Sequence, residues 1–213
     1  WTHWHHLYNP RQLLMIGLFQ ELAAQTMKTQ PVGAALLLGI GRLANWNSRL
    51  CIWDSSAANE KGTFTYINQA LNTIYNYAQR SHFALETSWF YTIPQRNISI
   101  DSEILPLDAR ETSHLVDMWI TDPPYADAVN YEELTELFLA WYEKRLPVLF
   151  PDWYADSKRA LAVKGADENF RIAMVECYRR LAENMPDNGL QLVMFTHQDV
   201  DVWADLALIL WSA

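Results

Sequence analysis

The sequence predicts an α/β fold with a mainly helical N-terminal part. Two short apolar runs, Leu115 to Ile120 and Leu190 to Phe195, are rich in β-branched and large residues and read as buried strands. Apolar residues recur at helical spacing before, between and after them. Two prolines stop the first run and the polar stretch Thr196-His197-Gln198-Asp199 follows the second, so both strands end in loops.

In chain order, Trp1 to Gln12 opens with His3, His5 and His6, but no carboxylate or thiol lies nearby, so no metal site is expected. Asn9-Pro10 suits a helix start, with Asn at the cap and Pro in the first turn. Leu13, Leu14, Ile16, Leu18, Leu22 and Ala23 carry that helix to about Met27, and Pro31 breaks it. A second helix, Val32 to Asn47, is apolar almost all round and should be deeply buried. Its Gly39 and Gly41 read as small residues for close helix packing, because a phosphate-cradling loop needs a strand before it. Residues 47–54 form a polar, aromatic connection and 55–62 a surface loop. Ile67, Ala70, Leu71, Ile74 and Tyr75 predict a third helix from Phe64 to Gln79. Residues 81–105 are irregular, with a strand near Phe83–Tyr91.

After the first apolar run, Tyr131 to Leu146 is a helix with Leu134, Leu137, Phe138 and Trp141 on one face. Residues 147–164 are aromatic and irregular. Asp167 caps a helix that reaches Met185 and is ended by Pro186-Asp187-Asn188-Gly189. The last helix runs from about Val202 to Trp211. The expected organisation is a helical segment, 1–80, and an α/β segment, 81–213, of one domain that looks cut from a longer chain.

With 213 residues, half of them hydrophobic, and ten Trp and ten Tyr, the chain has material for a sizeable core. No uncharged apolar stretch is long enough for a membrane span, and no signal-peptide pattern opens the chain. Cys51 and Cys177 are too few for a disulfide framework or a zinc ribbon; they read as buried thiols of a cytoplasmic protein. The net charge of −9 has the wrong sign for a stand-alone nucleic-acid binder. It is unevenly spread, since residues 1–50 hold Arg11, Lys28, Arg42 and Arg49 against Glu21 alone. A chain of this charge acting on DNA should take most phosphate contacts from elsewhere.

Function is carried by Thr121-Asp122-Pro123-Pro124-Tyr125. Neither proline can donate to a ladder, and Pro123 pushes Asp122 out of the α region. Asp122, Pro123, Pro124 and Tyr125 therefore leave the carboxyl end of a strand as a stiff loop, which is where ligands bind in open α/β sheets. The plain alternative is a proline turn closing an ordinary strand. Asp-Pro-Pro-Tyr resembles the catalytic motif of the amino-methyltransferases, which methylate the exocyclic nitrogen of adenine or cytosine with S-adenosylmethionine. Three segments, Leu7 to Leu14, Asn47 to Asp54 and Thr121 to Tyr131, resemble the large prokaryotic adenine-specific DNA methylases that contain a zinc ribbon.

That resemblance implies a seven-stranded, Rossmann-like methyltransferase sheet, with 115–121 as its fourth strand and 190–195 as its fifth. It implies N6-adenine methylation of DNA, in restriction–modification or phage defence, with N4-cytosine methylation as the neighbouring alternative. Asp122 and the Pro123 carbonyl would accept the two hydrogens of the target amine and free its lone pair, with Pro124 stiffening the loop. Tyr125 would stack on a flipped base. Asp127, Tyr131 and His197 would line the target pocket, although His197 also reads as a satisfied surface histidine. Asn9, Pro10 and Arg11 resemble a segment that touches the cofactor's methionine end, as Asp122 would, but they read equally as a helix cap. The Gly-rich cofactor loop of such enzymes has no counterpart here, nor do the zinc-ribbon cysteines. The chain thus resembles the second half of such an enzyme, and a missing N-terminal segment or a second polypeptide is the expected partner. A subunit that keeps the fold without catalysis is the remaining alternative.

Overall fold

The computed structural model describes residues 2–54, 61–67, 102–124, 131–153, 157, 161–165 and 167–213. The chain divides into two compact units, Trp1–Glu103 with Leu134–Ser157, and Ile104–Glu133 with Lys158–Ala213.

The first unit is built on a helical hairpin. A 3-10 turn, Trp4–Leu7, leads into α1, Pro10–Thr26. Asn9 and Gln12 close a reciprocal capping box at its start, each side chain accepting from the other's backbone N–H at 2.9 Å. A short connection leads to α2, Gln30–Trp46. The Arg49 N–H donates to the Leu7 carbonyl at 2.6 Å and the Tyr8 hydroxyl to that of Ala44 at 3.2 Å. These bonds set the start of α1 beside the end of α2, so the helices run antiparallel. Ile16, Leu37, Ile40 and Leu43 are buried between them. A Cβ on Gly41 would meet the Tyr142 ring, so this glycine serves close packing, as its place inside a helix predicts.

Helix α3, Tyr131–Tyr142, contributes Leu137 and Trp141 to the same core. The Trp141 indole donates to the Tyr8 hydroxyl at 3.2 Å, with the rings edge to face at 5.3 Å. A short α4, Leu146–Leu149, follows. The connection after α2 is tied by a buried polar knot. Thr65 Oγ1 lies 2.6 Å from the Asn45 carbonyl and 2.9 Å from Ser48 Oγ, and the Cys51 thiol donates to the same carbonyl at 3.4 Å. An antiparallel ladder pairs β1, Trp53–Asp54, with β2, Lys61–Gly62.

The second unit holds a parallel pair, β3, Met118–Thr121, and β4, Leu190–Val193, in the register Met118↔Leu190 to Thr121↔Val193. Helix α5, Glu168–Glu183, is capped by Asp167, whose carboxylate accepts from the Phe170 N–H at 3.1 Å. Helix α6, Val200–Ser212, is capped by Asp199. Trp119 and Val193 face the core of Phe170, Met174, Tyr178, Leu181 and Ile209. Met118, Ile120, Leu190 and Leu192 line the other face and are 50–60% exposed.

The seven-stranded Rossmann-like sheet that the resemblance implies is corrected by the structure. Among the described residues the chain is mostly helical, and its parallel sheet has two strands. The physical reason lies in the apolar patterning. The long apolar segments, α1, α2, α3, α5 and α6, carry helical spacing and pack as helices, which leaves, among the described residues, two apolar runs short enough to be parallel strands. Even these are shorter than the sequence predicts. Leu115 is 74% exposed, and the Val116 N–H turns to the Asn184 carbonyl at 3.2 Å, so ladder pairing starts at Met118. The predicted strand near Phe83–Tyr91 and all of the predicted third helix beyond Ile67 lie outside the described residues. No helix among the described residues is long and apolar enough to cross a membrane.

Candidate active site

The sequence at the end of β3 is held from both sides. The Trp119 indole donates to the Leu181 carbonyl near the end of α5 at 2.9 Å. The hydroxyls of Thr121 and Tyr178 lie 3.2 Å apart, and the Thr121 carbonyl accepts from the Met194 N–H at 2.8 Å. Burial pushes the Tyr178 phenol up, against the smaller opposite effect of its bond to Thr121, so this link stays neutral and persists across the physiological range.

Beyond Thr121 the chain leaves the ladder. Asp122 is exposed, Pro123 buried and Pro124 half-buried. Neither Asp122 nor Pro123 has a hydrogen-bond or ion-pair partner among the described residues. An exposed carboxylate and the backbone of the buried proline after it are thus carried on a ring-locked segment at the carboxyl end of a parallel strand. Pro124 forms one wall of an apolar cleft with Phe170, Met174, Phe195 and Leu206. At its edge the Arg171 guanidinium reaches both oxygens of Asp205, at 2.9 and 3.1 Å, which uses its charge within the protein.

Because β3 and β4 are parallel, the segment 194–197 leaves the same sheet edge as 122–124. His197 is half-buried there. Its Nδ1 accepts from the Asp199 N–H at 3.0 Å and its carbonyl accepts from the Trp203 indole at 3.0 Å, so it anchors the start of α6. Tyr131 begins α3 and is 57% exposed. Tyr125 and Asp127 lie outside the described residues. Asn9, Pro10 and Arg11 belong to the first unit and the motif belongs to the second. The side-chain oxygen of Asn9 is engaged by its own helix, so the capping reading accounts for it. Asn9→Ala should therefore destabilise the protein by about 0.5–2 kcal/mol, the usual range for a lost cap, as measured by urea unfolding. Activity lost without loss of stability would instead point to a ligand-binding role.

Neither cysteine is in a disulfide, and burial pushes the thiols of Cys51 and Cys177 up, away from the thiolate form. Two residues that matter to the site, Trp119 and Tyr178, escape motif reasoning. Trp119 was legible only as a strand residue on the face opposite Ile120, and Tyr178 only as one more apolar position of a helix. No family model matches the chain, and no curated protein or solved structure matches it either.

Proposed function

We propose that the chain supplies the target-amine side of an S-adenosylmethionine-dependent DNA methyltransferase acting on adenine N6. The observation that carries this reading is the exposed Asp122 carboxylate, without a hydrogen-bond or ion-pair partner among the described residues, followed by Pro123 on a stiff loop at the end of a parallel strand. An exocyclic amine is a poor nucleophile because its lone pair is conjugated into the ring. Two acceptors that take its hydrogens favour a pyramidal nitrogen, whose lone pair is then free to attack. Asp122 also offsets the positive charge that develops on that nitrogen. The exposed position of Asp122 suits a base presented from outside the fold, as flipping requires.

S-adenosylmethionine supplies the methyl group in this chemistry, and the described residues do not fit it well. None of the seven glycines stands in a strand, Gly-x-Gly, helix sequence, and the Asn9 amide is taken up by its own helix. The cofactor cradle is therefore assigned to another segment or polypeptide. Calorimetry on the 213-residue chain should accordingly show no micromolar binding of S-adenosylmethionine. Tight binding would place the cradle within this chain.

The deciding experiment is mass spectrometry of nucleosides from DNA treated with methyl-labelled cofactor and the protein, purified with whatever accompanies it. Labelled N6-methyladenine is the expected product. Labelled N4-methylcytosine would move the target to cytosine. The absence of any labelled base would favour a subunit without catalysis, a reading that the missing cradle also supports.

A further inference from the structure

We propose that the end of the first unit where α1 begins and α2 ends is a contact surface for the phosphate backbone of a nucleic acid. The choice of polyanion rests on the DNA substrate proposed above; the surface itself rests on charge and geometry. Arg11 lies in the first turn of α1, Arg42 in the last turns of α2, and Arg49 just past its end. All three thus stand at the end of the hairpin that also carries the turn with His3, His5 and His6. Arg49 donates from its backbone to Leu7 at 2.6 Å and from its guanidinium to the His6 carbonyl at 3.4 Å. The three imidazoles cluster with centroids 4.4–5.4 Å apart.

No acidic side chain from residues 1–50 opposes this cluster. Glu21 stands ten positions along α1 from Arg11, about 15 Å away at helical rise, and is paired with Arg145 at 3.4 Å. Arg11 and Arg42 are exposed, Arg49 is half-buried, and none of the three makes an ion pair among the described residues. The antiparallel helices place one positive and one negative dipole end here, so side chains set the local field. The Arg42 guanidinium lies 4.8 Å from the Trp46 ring centroid. Stacking holds its planar fork while leaving N–H groups for phosphate oxygens. Trp46 is in turn 5.8 Å from Phe64, which is 47% exposed and offers a face to an unpaired base. Because the whole chain carries −9, a polyanion is repelled elsewhere and binding should be local, modest and sensitive to salt.

The test is fluorescence anisotropy of a labelled duplex of about 20 base pairs against the 213-residue chain over a range of salt. Three phosphate contacts predict a log–log salt slope of about −2 to −3. The combined variant Arg11→Gln, Arg42→Gln, Arg49→Gln should bind at least about tenfold more weakly at low salt, with the slope flattened by about 2. Lys28→Gln, at the opposite end of the hairpin, should bind as wild type. If the combined variant melts early, the single Arg42→Gln carries the test, with a loss of about threefold, because that side chain is exposed. No duplex binding by wild type, an equal loss in Lys28→Gln, or unchanged binding in the arginine variants would overturn the proposal. So would preferential capture by vesicles containing phosphatidylglycerol. Labelled N6-methyladenine reads the Asp122 loop and duplex anisotropy reads this surface, so failure of the methylation reading and failure of this surface remain distinguishable.

Discussion

On the proposed function, Asp122→Ala is expected to lower methyl transfer by about 10²–10³-fold or more, the scale of losing one preorganised charge-stabilising group, and to leave the melting temperature unchanged. The two halves of this expectation come from different observations. Asp122 is exposed and makes no hydrogen bond or ion pair among the described residues, so its removal creates no cavity and orphans no partner. Its interaction with the target strengthens as the amine loses planarity and gains charge. The loss should therefore fall mainly on kcat, with a smaller change in KM. Asp122→Asn should recover little, because an amide keeps one acceptor oxygen but loses the charge and presents N–H groups to the amine. Steady-state methylation and a thermal melt on the same preparations read both halves. Retention of more than about a tenth of wild-type turnover would remove Asp122 from the acceptor role.

Trp119→Ala has the largest expected effect on stability. Trp119 packs its ring on the core of the second unit and donates to the Leu181 carbonyl at 2.9 Å. Truncating a core aromatic costs about 3–5 kcal/mol, or roughly 6–20 °C in melting temperature for a chain of this size. Trp119→Phe keeps most of the packing and loses the hydrogen bond, which should cost about 1 kcal/mol. The pair of variants separates packing from hydrogen bonding by circular dichroism. Since Asp122 stands three residues further along the same backbone, Trp119→Ala should also reduce methyl transfer at temperatures where the protein remains folded. A melt within a degree or two of wild type would show that α5 does not depend on this contact.

Helices were the legible part of the fold. Asn9-Pro10 and Asp167 mark starts that the structure keeps, with both cap bonds formed. Local chemistry is enough there, because a cap acts within a few residues of the sequence that encodes it. The two apolar runs also became neighbouring strands, yet their ends were misjudged. Leu115 and Val116 are as apolar as strand residues, but a ladder needs a partner, and β4 offers one only from Leu190. The sheet's size was misjudged for a different reason. Seven strands came from resemblance rather than from residues, whereas most of the described chain carries helical spacing and forms helices. At the site, the proline chemistry placed Asp122 beyond a strand end, as the structure does. The supports at Trp119 and Tyr178 depend on contacts between residues about sixty positions apart, and no local pattern encodes those.

The two units are not consecutive in the chain. Leu134–Ser157 returns to the first unit after the backbone has entered the second, and it brings Leu137, fully buried, and Trp141 into the first core. The backbone thus changes unit three times. No single cut can release either unit whole: a fragment ending before Leu134 lacks part of its own core, and one starting after Ser157 lacks β3 and the Asp122 loop. During synthesis, the strand bearing the site emerges long before β4, its ladder partner about seventy residues later. The Asp122 loop therefore takes its place only after β4 has been made, and a product truncated before Leu190 has no ladder partner to hold it.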